Sequence, residues 1–151
     1  MQIHIGSDHA GFAYKTLIID HLKKSGHEVV DHGPFTFEAL DDYPTFCLRA
    51  AEGVAKNSGS LGIVLGGSGN GEQIAANKVK GVRAVLAWSV ETAKLGRDHN
   101  NANVVGIGGR MHSIEECKAI IDAFIETPFS NDERHIRRIN KIAKYENEGS
   151  L

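Results

Sequence analysis

The chain has 151 residues, 41% of them apolar and 24% charged, with a formal net charge of −2. That length favours one domain, residues 1–151, able to bury a core without disulfides or metals. The charge balance argues against a nucleic-acid or membrane surface, no apolar run can cross a bilayer, and polar residues interrupt the N-terminus too early for a secretory leader. Two isolated cysteines, Cys47 and Cys117, lack disulfide or zinc spacing. They read as small core residues in a reducing, cytoplasmic setting.

Residues 2–6, QIHIG, alternate and are β-branched, so they read as a strand. Residues 11–26 read as a helix with Phe12, Leu17, Ile18 and Leu22 on one face and Gly26 as its stop. A short strand, HEVVD, leads into a loop with Gly33 and Pro34, and Pro44 falls in the first turn of a second helix. LGIVL, residues 61–65, is a continuous apolar run of the kind found in buried parallel strands. A glycine loop follows, then a helix from about Glu72 to Lys78. VRAVLAW reads as the fourth strand. The fourth helix is N-capped by Ser89, and NVVGIGG is the fifth strand. Ser113 and Glu116 form a capping box for the next helix, and a last helix runs from about Asn131. The tail ENEGSL reads as frayed.

Five βα repeats and an extra C-terminal helix imply α/β architecture: a doubly wound, three-layer αβα sandwich around a five-stranded parallel sheet. With strand order 2-1-3-4-5, the switch point falls between strands one and three, where ligands bind beyond the carboxyl ends. Two glycine-bearing loops meet there: SDHAG, residues 7–11, and GGSGNGE, residues 66–72.

The second loop is neither of the common phosphate loops. No G-K-[ST] follows it, and after Gly67 and Gly69 the dinucleotide fingerprint requires glycine where Glu72 stands. Four glycines separated by Ser68 and Asn70 suit close approach of backbone to a substrate. A tight turn without ligand is the plainer alternative. Asp8 and His9 follow a strand directly, and their position alone leaves an N-cap with a surface histidine as open as a catalytic pair. The histidines show no metal-binding pattern. Arg134, Arg138 and Lys141 fall at i, i+4 and i+7; such a stripe is usually a solvated face, but paired arginines can also clamp a phosphate.

Taken together, GSDHAGF, DYP, GGSGNGEQIAANK, RAVLAW, HNNANVVGIGGR and ERHIRRI resemble, in order and spacing, the type B ribose-5-phosphate isomerases of the ribose/galactose isomerase family. The resemblance covers nearly the whole chain. It implies a doubly wound fold and a homodimer or dimer of dimers. It also implies interconversion of ribose 5-phosphate and ribulose 5-phosphate through an enediolate, in the pentose phosphate pathway, without metal or other cofactor. By motif match, Asp8 and His9 contact the sugar and take part in ring opening. Gly67, Ser68, Gly69, Asn70 and Gly71 hold the reacting end. His99 is a proton donor, Asn100 binds the intermediate, Arg110, Arg134 and Arg138 bind substrate, chiefly its phosphate, and Tyr43 is a pocket wall. Ser68 is also a candidate proton relay between the two sugar oxygens, with turn capping as its alternative. Many family members carry a cysteine base where Gly66 stands; this chain resembles the subgroup that uses a glutamate, here Glu72. Isomerases of galactose 6-phosphate or allose 6-phosphate are the nearest alternatives, and a non-catalytic nucleotide-binding module is a more distant one. The fourth helix should run antiparallel to the strands. That puts His99 and Asn100 at the amino edge of the sheet, roughly 17 Å from the glycine loop by the rise of a five-residue strand, and implies active sites shared between two chains.

Overall fold

The computed structural model describes residues 1–150. Among the described residues five strands each lead into a helix, and a sixth helix follows the fifth: β1 (Gln2–Ser7), α1 (Phe12–Lys24), β2 (Glu28–Asp31), α2 (Tyr43–Lys56), β3 (Leu61–Gly66), α3 (Asn70–Ala76), β4 (Ala84–Leu86), α4 (Val90–Asn100), β5 (Val104–Gly108), α5 (Ile114–Glu126) and α6 (Glu133–Glu148). All pairings are parallel.

The central strands are buried on both faces, and their side chains alternate between two cores. Ile3, Ile5, Ile63, Leu65, Val105 and Ile107 pack with Ile18 and Leu22 of α1 and Ile120, Ile121 and Phe124 of α5. On the opposite face Val64 and Val104 pack with Cys47, Ala50, Ala51 and Val54 of α2 and with Ala75 and Ala76 of α3. This is the three-layer αβα sandwich that the βα repeat implies.

The strand order is β2-β1-β3-β5-β4, not 2-1-3-4-5. β5 takes the inner position because it offers five buried residues with glycines at 106 and 108, where α3 and its loop press close. β4 has only three residues, two of them partly buried, and fits an edge. The switch point remains between β1 and β3, but β5 rather than β4 is the other neighbour of β3.

Three local readings also change. Leu17 is exposed, and the buried face of α1 carries Lys15 instead. The Lys15 ammonium donates to both carboxylate oxygens of Asp31 at 2.6 Å, which compensates its burial. α3 starts at Asn70, two residues before the expected position, because Gly69 enters it with φ +82°. α6 starts at Glu133 and continues through Glu148, so the first half of the tail expected to fray is helical, while Leu151 lies outside the described residues.

Candidate active site

Three loops converge at the carboxyl edge. The Asp8 N–H donates to the Leu65 carbonyl at 3.4 Å, joining the loops after β1 and β3. The Gly109 and Arg110 N–H groups donate to the carbonyls of Gly66 and Gly67 at 2.8 and 3.1 Å, joining the loop after β5 to the same place. The inner position of β5 makes this second junction, which the expected strand order did not provide. A cleft of about 450 Å³ opens there, lined by Tyr43, Gly67, Ser68, Gly71, Glu72 and Arg110, among others.

Glu72 is buried, with 4% of its surface exposed. Burial raises its carboxyl above the ordinary value. The nearby charge of Asp8 pushes the same way, and the backbone amides of Glu72 and Gly69 oppose the rise without cancelling it. Desolvation therefore outweighs the favourable amides of the helix start. Glycine at 66 leaves room for the carboxylate, because a Cβ there would fall on the Glu72 carboxyl group and force it to move. A side chain at 66 and a carboxylate in this position exclude each other.

Tyr43, the first residue of α2, closes one wall; a Cβ on Gly71 would lie 2.6 Å from its ring. Ser68 accepts hydrogen bonds from the backbone and side-chain amides of Asn70 at 3.3 and 3.2 Å. That is the turn-capping role, and it leaves the hydroxyl proton free to donate. Asp8, 7% exposed, accepts from the N–H groups of Ala10 and Gly11 at 2.9 and 3.2 Å. It thus shapes the turn into α1 as well as setting the field at Glu72.

His9 has a partner that the sequence reading did not single out. Asp41, on the loop between β2 and α2, accepts from the His9 backbone N–H and from ring Nδ1, both at 2.8 Å. Asp8, His9 and Asp41 each offer a ligand atom within 4.8 Å of the others, a spacing that a divalent cation can bridge. The direct Nδ1 hydrogen bond accounts for the contact of His9 with Asp41 with a proton in that place. Only the distant pairing of a polar loop residue, 32 positions away, would have revealed Asp41.

The remaining residues expected at the site lie elsewhere. Asn103, just after α4, accepts at the starts of the strands: its carbonyl takes the Gly62 N–H at 2.8 Å and its side-chain oxygen takes the Arg83 N–H at 2.8 Å. The end of α4 therefore lies at the amino edge, with His99 and Asn100 on it. The His99 ring stacks on His135 of α6 with centroids 4.4 Å apart, and Ser130 ties the start of α6 to the Asp98 carbonyl at 2.8 Å. Arg134 and Arg138, on the same helix, are exposed. A second hollow at this edge, about 420 Å³, contains Arg83 and Arg97, but both guanidinium groups are committed to carbonyls from Asn100 to Ala102.

Cys47, a buried core residue, lies close enough to the site to be influenced by its carboxylates. Its thiol feels the charges of Glu72 and Asp8, and together with burial these push its pKa far up, so it stays a protonated core thiol. Burial pushes Cys117 to about 11.

The Ribose/Galactose Isomerase family model matches residues 3–142. Ribose-5-phosphate isomerase B of Mycolicibacterium paratuberculosis is 60% identical over 146 residues, covering 97% of this chain and 92% of that one. Galactose-6-phosphate isomerase subunit LacB of Clostridium acetobutylicum is 40% identical, covering 94% and 83%. Among solved structures, ribose-5-phosphate isomerase B from Mycoplasma genitalium with bound ribulose-5-phosphate superposes with a TM-score of 0.94 at 47% identity over 97% of both chains. With its open parallel sheet, its glycine loop and its buried glutamate, this chain belongs to the ribose/galactose isomerase family.

Proposed function

We propose that this protein interconverts ribose 5-phosphate and ribulose 5-phosphate as an aldose–ketose isomerase of the pentose phosphate pathway, working in the cytoplasm as a homodimer with shared sites. The observation that carries the chemistry is the buried Glu72 carboxylate, raised in pKa, beside a glycine loop in an open cleft. A carboxylate whose pKa is raised in this way is a better base than a solvated one.

In the open-chain aldose, Glu72 takes the proton from C2. The C–H electrons form the C1–C2 double bond, and negative charge moves onto O1. Backbone N–H groups of residues 67–71 and the Asn100 amide stabilise that oxyanion, a contribution often larger than the base itself. Ser68 passes a proton between O2 and O1, C2 becomes the carbonyl, and the protonated Glu72 returns its proton to C1. Asp8 and His9 serve ring opening, His99 donates a proton, Tyr43 bounds the pocket, and Arg110, Arg134 and Arg138 hold the phosphate.

A dimer is supported by the division of these residues between two edges of one sheet, since a strand the length of β3 spans roughly 20 Å. It is also supported by α6. Of its 16 residues only His135 is buried, while Ile136, Ile142 and Tyr145 are exposed, an apolar face that a second copy would cover.

The test is a comparison of kcat/KM for ribose 5-phosphate, allose 6-phosphate and galactose 6-phosphate, with and without a chelator. Preference for ribose 5-phosphate supports the reading. Preference for galactose 6-phosphate moves the chain toward its 40%-identical relative, and binding of a nucleotide without turnover of any sugar phosphate overturns it.

A further inference from the structure

We infer that Asp41 is a positioning residue for His9: its carboxylate holds the ring with the proton on Nδ1 and leaves Nε2 as the proton-accepting atom offered to the sugar. The inference rests on the reading of His9 as a sugar contact.

The geometry is specific. One oxygen, Asp41 Oδ1, accepts both the backbone N–H and the ring Nδ1 of His9 at 2.8 Å. The first bond fixes where the residue stands and the second fixes how its ring is turned. A carboxylate can only accept, and a neutral imidazole carries its proton on one nitrogen, so Nδ1 must be the protonated atom and Nε2 must hold the lone pair. Nε2 has no hydrogen bond among the described residues, and the ring retains 27% exposure. Asp8 also faces Nδ1, but its Oδ2 stands 3.9 Å away, beyond hydrogen-bond length.

The surroundings of Asp41 point the same way. Its side chain is 6% exposed, and its second oxygen, Oδ2, is buried with no partner among the described residues. A buried carboxylate oxygen without a partner is costly. A leucine would fill the space and avoid that cost, so packing alone does not account for an aspartate.

The chemistry served is the opening of a furanose. Nε2 takes the proton of the anomeric hydroxyl, C1=O forms, and the C1–O4 bond breaks. O4 takes a proton from water, and the imidazolium releases its own proton to water, so the step leaves no net charge.

The test combines a spectroscopic and a kinetic arm. In ¹⁵N-histidine-labelled protein at alkaline pH, where imidazoles are neutral, His9 should show a protonated Nδ1 and a bare Nε2. Asp41→Ala should lose that preference and lower kcat for ribose 5-phosphate by roughly ten-fold or more, within the range of a positioned base, with KM changed by less than about two-fold. Asp41→Asn, which keeps an acceptor oxygen, should recover part of the rate; a folded variant of this kind also serves if Asp41→Ala fails to fold. A wild-type His9 protonated on Nε2 overturns the inference, as does an unchanged kcat in Asp41→Ala while His9→Ala is impaired. Full activity in His9→Ala refutes the underlying reading of His9 instead.

Discussion

The Glu72 carboxylate occupies the space in which a side chain at Gly66 would begin. Putting a methyl group there must displace the carboxylate or spread the loop. Gly66→Ala is expected to cost about 1–3 kcal/mol of stability, as over-packing does, and to lower kcat by roughly 10²-fold or more by moving the base. Thermal melting and steady-state kinetics on the same preparation check both. A Gly66→Ala enzyme with normal kcat would show that the carboxylate can relocate without consequence.

Glu72 should trade stability for activity. Its carboxyl is raised by burial and by Asp8, so the folded protein binds this proton more tightly than the unfolded chain. Stability from this group is greatest below the unfolded value, about 4.3, and is lost as pH rises through the raised folded value. Glu72→Gln removes that loss. Relative to wild type the variant should melt higher near neutral pH, with the advantage fading toward pH ~4, while kcat falls roughly 10²–10⁴-fold. The acid limb of wild-type kcat/KM should lie above the ordinary carboxylate range. Equal melting temperatures at all pH values would refute the raised carboxyl.

His99 and Glu72 lie at opposite edges of the same sheet. If two copies complete each other's sites, a mixture of inactive His99→Ala and inactive Glu72→Gln chains, exchanged into heterodimers, should regain activity, since one of its two sites is intact. Heterodimers proven by mass spectrometry that stay inactive would place both residues in one chain's site.

Arg138 is exposed, and no ion pair involves it among the described residues. If it binds phosphate from the partner's helix, Arg138→Ala loses a charge-assisted bond of roughly 1.5–3 kcal/mol, and KM should rise ten-fold or more. Unchanged kinetics would return α6 to an ordinary solvated stripe.

Lys15 and Asp31 hold the start of the loop that carries Asp41: Asp31 takes the Lys15 ammonium and the Gly33 N–H at 2.9 Å. Lys15→Met should cost about 3 kcal/mol, the low end for breaking a buried pair, because Asp31 retains 28% exposure. Denaturant unfolding measures it.

Much of this protein was determined by its sequence alone. The βα alternation, both serine caps, the glycine loop and Glu72 are local patterns, and local patterns are legible because helix, strand and cap preferences act over a few residues. The strand order was not legible: β4 and β5 are both apolar runs, and neither periodicity nor composition says which one lies beside β3. Nor was the Asp41–His9 pair, a contact across 32 residues, or the burial of Lys15, which depends on a carboxylate from another element. The direction of the Glu72 shift belongs to the same class. Its local helix start favours the charged form, and only the packed surroundings that remove water and bring Asp8 close reverse that preference. Sequence determines what each segment can become, but solvent exclusion and neighbouring charge exist only once distant segments have met.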